Sequence, residues 1–207
     1  MDTEELWLTA ADGVRLEAEL AVPEEPQGAV VLCHPHPEHG GTMRSIVTGA
    51  LFRDLPKRHV ACLRFNFRGV EQSGGSHEHG RGEQDDIVAA IATLHDIVEG
   101  LPLVVSGWSF GADTSLAVLD ERITAWAPVA PTLRDGDPPA AHDPRPKALL
   151  VPENDEYNPP DRAREAVKDW TATTVTVVPG ADHFLVGRTD AATDHVIHVM
   201  DALGRTA

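Results

Sequence analysis

The sequence has 207 residues, of which 42% are hydrophobic and 24% are charged, and its 33 acidic against 17 basic residues give a formal net charge of −16. This composition predicts a single globular domain over residues 1–207, and the charge argues against nucleic acid and anionic membrane as partners, because both would be repelled. No apolar run approaches the roughly 20 residues of a membrane span, and the acidic start is unlike a signal peptide, so we expect a cytoplasmic protein.

The predicted elements alternate between strand and helix after a short β start. A turn signal, Ala11-Asp12-Gly13, separates strand-like residues 6–9 and 14–20 and predicts an antiparallel hairpin. Beyond it, short apolar runs indicate buried strands, and apolar positions at helical spacing indicate helices. In chain order these are strand 29–33, helix 43–58, strand 60–65, helix 85–99, strand 103–106, helix 112–119, strand 123–127, strand 147–151, helix 161–170, strand 174–178 and helix 189–203.

This order of elements predicts a three-layer αβα sandwich, an α/β fold whose sheet is mostly parallel apart from the N-terminal antiparallel hairpin. Residues 128–146, which connect two of the predicted strands, are too few and too rich in proline to form a helical cap. We therefore expect no cap domain, and an open, shallow site at the carboxyl ends of the strands.

The pentapeptide Gly107-Trp108-Ser109-Phe110-Gly111 carries the clearest chemical signal. It matches G-x-S-x-G and lies between a predicted strand and a predicted helix, which is the arrangement of a nucleophile elbow. Such a turn holds the serine in a strained conformation, and side chains two residues before and after it would collide with neighbouring backbone. The helix N-terminus behind Ser109 would stabilise negative charge that develops beside it.

Loops after the later strands supply an acid and a base. Asp155 follows the strand at 147–151 and His183 follows the strand at 174–178, and the chain order Ser109, Asp155, His183 is the order expected with this elbow. In such a set the histidine takes the proton of the serine, and the aspartate fixes the imidazole tautomer. Three other acids and two histidines of the last predicted helix remain alternatives for these roles: Glu153, Glu156, Asp161, His195 and His198.

Five segments carry a resemblance to a known family. They are Cys33–Pro37, Arg64–Val70, the elbow, Asn154–Tyr157 and Gly180–Phe184. On these segments the chain resembles the α/β-hydrolase superfamily over essentially its whole length, and within it the small lidless hydrolases of the dienelactone-hydrolase-like and serine-aminopeptidase-like groups. The resemblance implies that Ser109 is the nucleophile, Asp155 the acid and His183 the base. Dienelactone hydrolases proper use a cysteine nucleophile, where this chain has serine.

An oxyanion hole requires two backbone N–H groups that point at one spot. One is expected from Phe110, directly after the nucleophile, and the other from the loop after strand 29–33. Many relatives have His-Gly-x in that loop; here His36 takes the place of x, and the prolines on either side of it have no N–H to donate. We expect Trp108 and His34 to bind substrate, and Arg68 to hold its loop through a salt bridge.

Histidines in the loops raise the question of a metal: His34, His36, His39, His77 and His79. Their spacing matches no standard zinc motif. We therefore interpret them as loop or site-rim residues, and expect no metal site and no cofactor.

Together these features predict a serine hydrolase that cleaves small carboxylic esters or thioesters through an acyl-enzyme on Ser109. Its expected partner is a small acyl substrate, and a homodimer is left open. The alternatives are an amide or peptide hydrolase, a non-catalytic binding protein of the same fold, and a metal-dependent hydrolase that uses the histidine-rich loops.

Overall fold

The computed structural model describes residues 3–134 and 136–204, whose strands form one sheet with helices on both faces. The strands are β1 (Glu4–Thr9), β2 (Arg15–Ala21), β3 (Gly28–Cys33), β4 (Val60–Phe65), β5 (Leu103–Gly107), β6 (Ala125–Trp126), β7 (Lys147–Pro152) and β8 (Thr173–Val178). The helices are α1 (Ile46–Asp54), α2 (Gly82–Ile97), α3 (Phe110–Ala117), α4 (Pro160–Ala166) and α5 (Thr189–Gly204), and short 3-10 turns cover Pro37–His39, Pro56–Arg58 and Pro139–His142. None of the helices in these ranges is both long and apolar enough to cross a membrane.

The sheet has eight strands in the order β1-β2-β4-β3-β5-β6-β7-β8. β2 pairs antiparallel with β1 and β4, and the other pairings are parallel. These pairings confirm the predicted α/β sandwich with its N-terminal hairpin. Because the chain leaves β3 for β4 on one side and places β5 on the other, the strand order reverses there, and a crevice forms at the carboxyl ends of β3 and β5.

Alternate residues of the buried strands face opposite sides of the sheet and build two cores. Val31 of β3 belongs to the core shared with α2, α3 and α4, whereas its neighbour Val30 belongs to the core shared with α1 and α5. A strand covered on both faces is apolar at every position, which explains why β3 shows no alternation. With both faces covered, the loops at the carboxyl edge are where polar side chains can meet.

Two predicted helices are shorter in the structure. The helix predicted over 43–58 is α1 alone, followed by a 3-10 turn that starts at Pro56, a residue without an N–H to continue the helix. The helix predicted over 161–170 ends at Ala166, where the chain turns and buries Trp170 against the core. In both cases the apolar periodicity continues past the helix because the following residues are also buried.

β6 is likewise shorter than the strand predicted over 123–127. It covers only Ala125–Trp126, and Pro128, which has no N–H to donate to the ladder, lies beyond its C-terminal end. From there the chain runs through residues 128–146, whose described part contains one 3-10 turn and no cap domain. The absence of a cap is therefore confirmed for the described residues of this connection.

Arg68 anchors the loop that follows β4. Its guanidinium is 1% exposed and forms salt bridges of 2.8 Å with Asp86 of α2, 2.9 Å with Asp12 of the hairpin turn and 3.0 Å with Glu78. A β-carbon at Gly82 would lie 2.1 Å from this guanidinium, so a side chain at this position would require the guanidinium to move. The predicted salt bridge is confirmed, and it joins three separate segments of the chain.

Replacing Arg68 with Met is expected to lower the free energy of unfolding by about 3–5 kcal/mol, because the Asp86 carboxylate would remain buried without its cation. Urea denaturation followed by circular dichroism measures the change. Arg58→Met is the matched control, since Arg58 pairs with Asp194 at the exposed surface and its loss should change stability little. Equal effects of the two substitutions would contradict the anchoring role of Arg68.

Candidate active site

Ser109 stands at the turn between β5 and α3 in a strained backbone conformation. Its φ of 56° and ψ of −116° are rare for a residue with a side chain. A β-carbon at Gly107 would lie 2.3 Å from the carbonyl group of Gly111, and one at Gly111 would lie 2.4 Å from the carbonyl oxygens of Cys33 and His34. Both glycines of the motif are therefore required by close approach of backbone to backbone.

Two hydrogen bonds join Ser109 to Asp155 through His183. The Ser109 hydroxyl donates to His183 Nε2 at 2.9 Å, and His183 Nδ1 donates to Asp155 Oδ2 at 2.8 Å. Asp155 is 3% exposed, and its Oδ1 accepts the N–H groups of Tyr157 and Asn158. Because the carboxylate acts as an acceptor throughout, Nδ1 carries the imidazole proton and Nε2 presents its lone pair to the serine.

The loop after β3 lies directly against the elbow. Gly111 fits beneath this loop without a side chain, and the rings of His36 and Phe110 are 5.1 Å apart. The His36 carbonyl accepts the N–H groups of His39 and Gly41 at 3.1 and 3.0 Å, which turns the loop back on itself. The structure therefore brings His36 close to Phe110, the residue that directly follows Ser109. These are the two residues predicted to form an oxyanion hole.

The prediction that His34 binds substrate is wrong. His34 is fully buried, its Nε2 accepts the N–H of Phe67 at 3.0 Å, and its Nδ1 lies 2.6 Å from the Pro35 carbonyl. Burial lowers the pKa of His34 to about 4, so the ring is neutral at neutral pH. Trp108 does line the cleft, and its indole N–H donates to the His183 carbonyl at 3.0 Å.

A cleft of about 910 Å³ opens beside Ser109. Its walls include residues 39–41, 45–46, 79–81, 132–134 and 136–139, which makes it larger than the shallow site expected from the sequence. Its apolar lining includes Ile46, Phe110, Leu133, Tyr157 and Phe184.

Solved structures that share both this fold and more than a quarter of the sequence include two serine hydrolase relatives. XC6422 from Xanthomonas campestris, an α/β serine hydrolase without a lid, has a TM-score of 0.83 and 26% identity, covering 96% of this chain and 93% of that one. An α/β serine hydrolase homologue from Coxiella burnetii has a TM-score of 0.80 and 28% identity, covering 100% and 98%. The chain belongs to the α/β-hydrolase superfamily.

A curated protein is related to this α/β-hydrolase by sequence as well. RP471 of Rickettsia prowazekii is 27% identical over 213 aligned positions, which cover 94% of this chain and 89% of that protein. No protein-family model matches the chain. The likeness to a serine hydrolase and to a serine hydrolase homologue supports a hydrolase.

Asp113 is a site residue of this α/β-hydrolase that the sequence patterns did not single out. Its carboxylate accepts the hydroxyl and the N–H of Thr132 and the N–H of Leu133, and so fixes the loop that forms one wall of the cleft. Asp113 follows Ser109 by four positions and thus faces the same side of α3. That spacing is the signal that could have found it.

Histidines cluster at the opposite wall. The ring of His36 stacks on His39 with centroids 4.4 Å apart and lies 5.1 Å from His77, which in turn lies 4.9 Å from His79. Burial and the nearby imidazoles of His39 and His77 lower the pKa of His36. Within residues 3–134 and 136–204, one group could hold a metal ion, namely His36, Glu38 and His77, whose ligand atoms lie within 4.8 Å of one another.

The alternative acids and bases have other contacts. Glu153 accepts the N–H of Gly180 at 2.6 Å, and Asp161 lies in the first turn of α4. His195 is buried in α5 and hydrogen-bonds to the Ala148 carbonyl at 2.8 Å, so it packs against β7.

Burial lowers the pKa of His195 from 6.5 to about 4, which makes stability depend on pH. Between these values the unfolded chain binds a proton that the folded chain does not, so stability falls as pH is lowered from 6.5 to about 4. The loss attributable to this ring is on the order of 3 kcal/mol. Urea denaturation of His195→Gln should show a weaker pH dependence over this range than the unmodified protein.

His95→Gln is the control, because the His95 side chain is exposed and lies on a different helix, α2. It should keep the pH dependence of the unmodified protein. An unchanged pH dependence in His195→Gln would show that His195 does not carry the effect.

Proposed function

We propose that this α/β-hydrolase is a serine hydrolase that cleaves small carboxylic esters or thioesters through an acyl-enzyme on Ser109. The observation that carries the proposal is the pair of hydrogen bonds from Ser109 to His183 and from His183 to Asp155, at 2.9 and 2.8 Å. A serine hydroxyl is a weak nucleophile at neutral pH, and an imidazole lone pair at hydrogen-bond distance can take its proton as the oxygen attacks a carbonyl carbon.

In the proposed first step, Ser109 Oγ forms a bond to the substrate carbonyl carbon while its proton moves to His183 Nε2. The Asp155 carboxylate stabilises the resulting imidazolium. Collapse of the tetrahedral intermediate expels the alcohol or thiol, which takes the proton from His183. Water then attacks the acyl-enzyme with His183 as general base, and the acid product leaves Ser109 free.

In this proposal, the backbone N–H groups of His36 and Phe110 donate hydrogen bonds to the negatively charged oxygen of the tetrahedral intermediate. Phe110 is the first residue of α3, where helix geometry leaves the N–H without an intrahelical acceptor. The close fit of Gly111 under the loop after β3 supports the approach of the His36 peptide to the same spot. Loss of one such donor costs about 10²–10³-fold in rate.

The residues that line the cleft favour a substrate whose acyl group, the part nearest Ser109, is uncharged. Phe110, Trp108 and Phe184 present aromatic surface there, and Leu133 adds an aliphatic side chain. Apolar surface of this kind gains free energy from burying an alkyl or aryl chain. The similarity to serine hydrolases from Xanthomonas campestris and Coxiella burnetii supports the same chemistry.

Ser109→Ala is expected to abolish covalent labelling by a fluorophosphonate probe, because the probe reacts with an activated serine. Intact-protein mass spectrometry measures the adduct. Ser45→Ala is the matched control: Ser45 also lines the cleft, but its Oγ accepts the N–H of Thr42 and it should not affect labelling. An adduct that persists in Ser109→Ala would reject Ser109 as nucleophile, and no adduct on the unmodified protein would favour a non-catalytic binding protein.

Asp155→Asn is expected to lower kcat for p-nitrophenyl acetate by about 10⁴-fold, because a neutral amide stabilises the imidazolium poorly and favours the wrong imidazole tautomer. Glu153→Gln, a change of a neighbouring acid in the same loop, should leave kcat unchanged. Circular dichroism checks that both variants fold. A loss of activity in Glu153→Gln instead of Asp155→Asn would transfer the role of the acid to Glu153.

A further inference from the structure

His77 is a buried side chain whose chemistry the proposed hydrolase mechanism does not use. Its side chain is 9% exposed, and its Nδ1 lies 2.7 Å from the Glu83 carboxylate. Its Nε2 is buried and has no hydrogen-bond partner among residues 3–134 and 136–204. A buried polar nitrogen without a partner is unfavourable and points to a ligand that completes it.

Glu83 fixes which nitrogen of His77 carries the proton. The carboxylate is fully buried and also accepts the N–H groups of Glu78 and Gly80, each at 2.8 Å. Because it serves as an acceptor in these contacts, His77 Nδ1 is the donor and Nε2 has a free lone pair. A histidine whose second ring nitrogen donates to a carboxylate is the usual arrangement of a metal-binding imidazole.

The neighbours of His77 supply further ligand atoms. A ring nitrogen of His36, a carboxylate oxygen of Glu38 and a ring nitrogen of His77 lie within 4.8 Å of one another. We propose that these three residues bind one divalent transition-metal ion, of which Zn²⁺ is the best match. Two imidazole nitrogens and one carboxylate suit Zn²⁺, whereas Ca²⁺ and Mg²⁺ take oxygen ligands.

Spacing along the sequence predicted no metal site, since His36 and Glu38 come after β3 and His77 comes after β4. The fold brings these two loops together at the edge of the cleft. Metal–nitrogen bonds of about 2.0–2.1 Å place neighbouring ligand atoms of a tetrahedron roughly 3.3 Å apart. Ligand atoms that lie within 4.8 Å of one another therefore need to approach by at most about 1.5 Å. Glu38 is exposed, so its side chain is free to rotate toward the ion. The His36 ring accepts a long hydrogen bond of 3.2 Å from the Glu38 N–H, and this bond would be lost if the ring turned toward the ion.

The ion would tie the loop after β3 to the loop after β4. The first of these loops carries the N–H of His36 that we assign to the oxyanion hole, so metal binding would fix the position of that donor. This last consequence rests on the proposed function, whereas the metal site itself does not.

Metal uptake by the purified full-length protein, after treatment with a chelator and removal of it, tests the proposal. Zn²⁺ binding measured by titration calorimetry should show one equivalent per chain. Co²⁺ should bind to the same site, give the intense visible absorption of a tetrahedral nitrogen-and-oxygen site, and be displaced by Zn²⁺. Mg²⁺ should not displace Co²⁺. Uptake of less than one equivalent, or displacement of Co²⁺ by Mg²⁺, would overturn the proposal.

Three variants test the residues. His77→Gln should abolish the Co²⁺ absorption. Glu38→Gln changes an exposed residue and should not affect folding, but it should weaken Zn²⁺ binding by more than about tenfold. Loss of a residue that only hydrogen-bonds to a metal ligand already costs about tenfold, and Glu38 is proposed as a ligand itself. His95→Gln removes an exposed histidine of α2 and should bind metal as the unmodified protein does. Unchanged affinity in Glu38→Gln and His77→Gln would place any bound metal elsewhere and overturn the assignment. These readouts do not depend on ester hydrolysis, so an inactive protein would still give a clear answer.

Discussion

Between Gly107 and Gly111 the backbone turns so tightly that neither residue has room for a β-carbon. The contact that excludes a side chain at Gly111 also presses the start of α3 against the carbonyl groups at the end of β3. The N–H of Ser109 donates to the Val129 carbonyl at 3.0 Å, which fixes the turn on its other side. The position of Ser109 and that of the loop carrying His36 are therefore set by one backbone contact, and the remaining site residues are arranged around it.

Polar contacts hold the loops that form the walls of the cleft, and the described residues of the connection 128–146 form no cap domain over it. Arg68 joins the loop after β4 to α2 and to the hairpin turn, Asp113 holds the loop after β6, and His34 ties the loop after β3 to the loop after β4. Each is a buried or partly buried group with several partners, so each fixes the direction of a loop as well as its distance. Rigid walls of this kind hold reacting groups in place before substrate arrives, which is how electrostatic stabilisation becomes effective.

The sequence was sufficient to predict the sheet and the main residues of the candidate site, for local reasons. Strands covered on both faces are continuous apolar runs. Ser109 and Asp155 lie in the turns after two such runs, and His183 lies in the loop after the β-branched strand β8. Helix ends were less predictable, because the turn after Ala166 depends on where Trp170 is buried. The role of His34 could not be predicted from its own loop, since it depends on the N–H of Phe67, which lies in the loop after β4. His77 lies in a loop without periodicity, and Glu83 lies in the first turn of α2, ahead of the helix predicted to start at residue 85, so no pattern indicated their contact.

Residues 128–146 are held near both ends. Asp113 fixes Thr132 and Leu133 near the start, and Arg145 donates to the carbonyl groups of Asp120 and Ile123 at 2.5 and 2.7 Å near the end. The entropy cost of lengthening a loop whose ends are fixed rises only slowly with its length. Evolution can therefore insert a new segment between these two anchors and reshape substrate selection, while the backbone around Ser109 stays as it is.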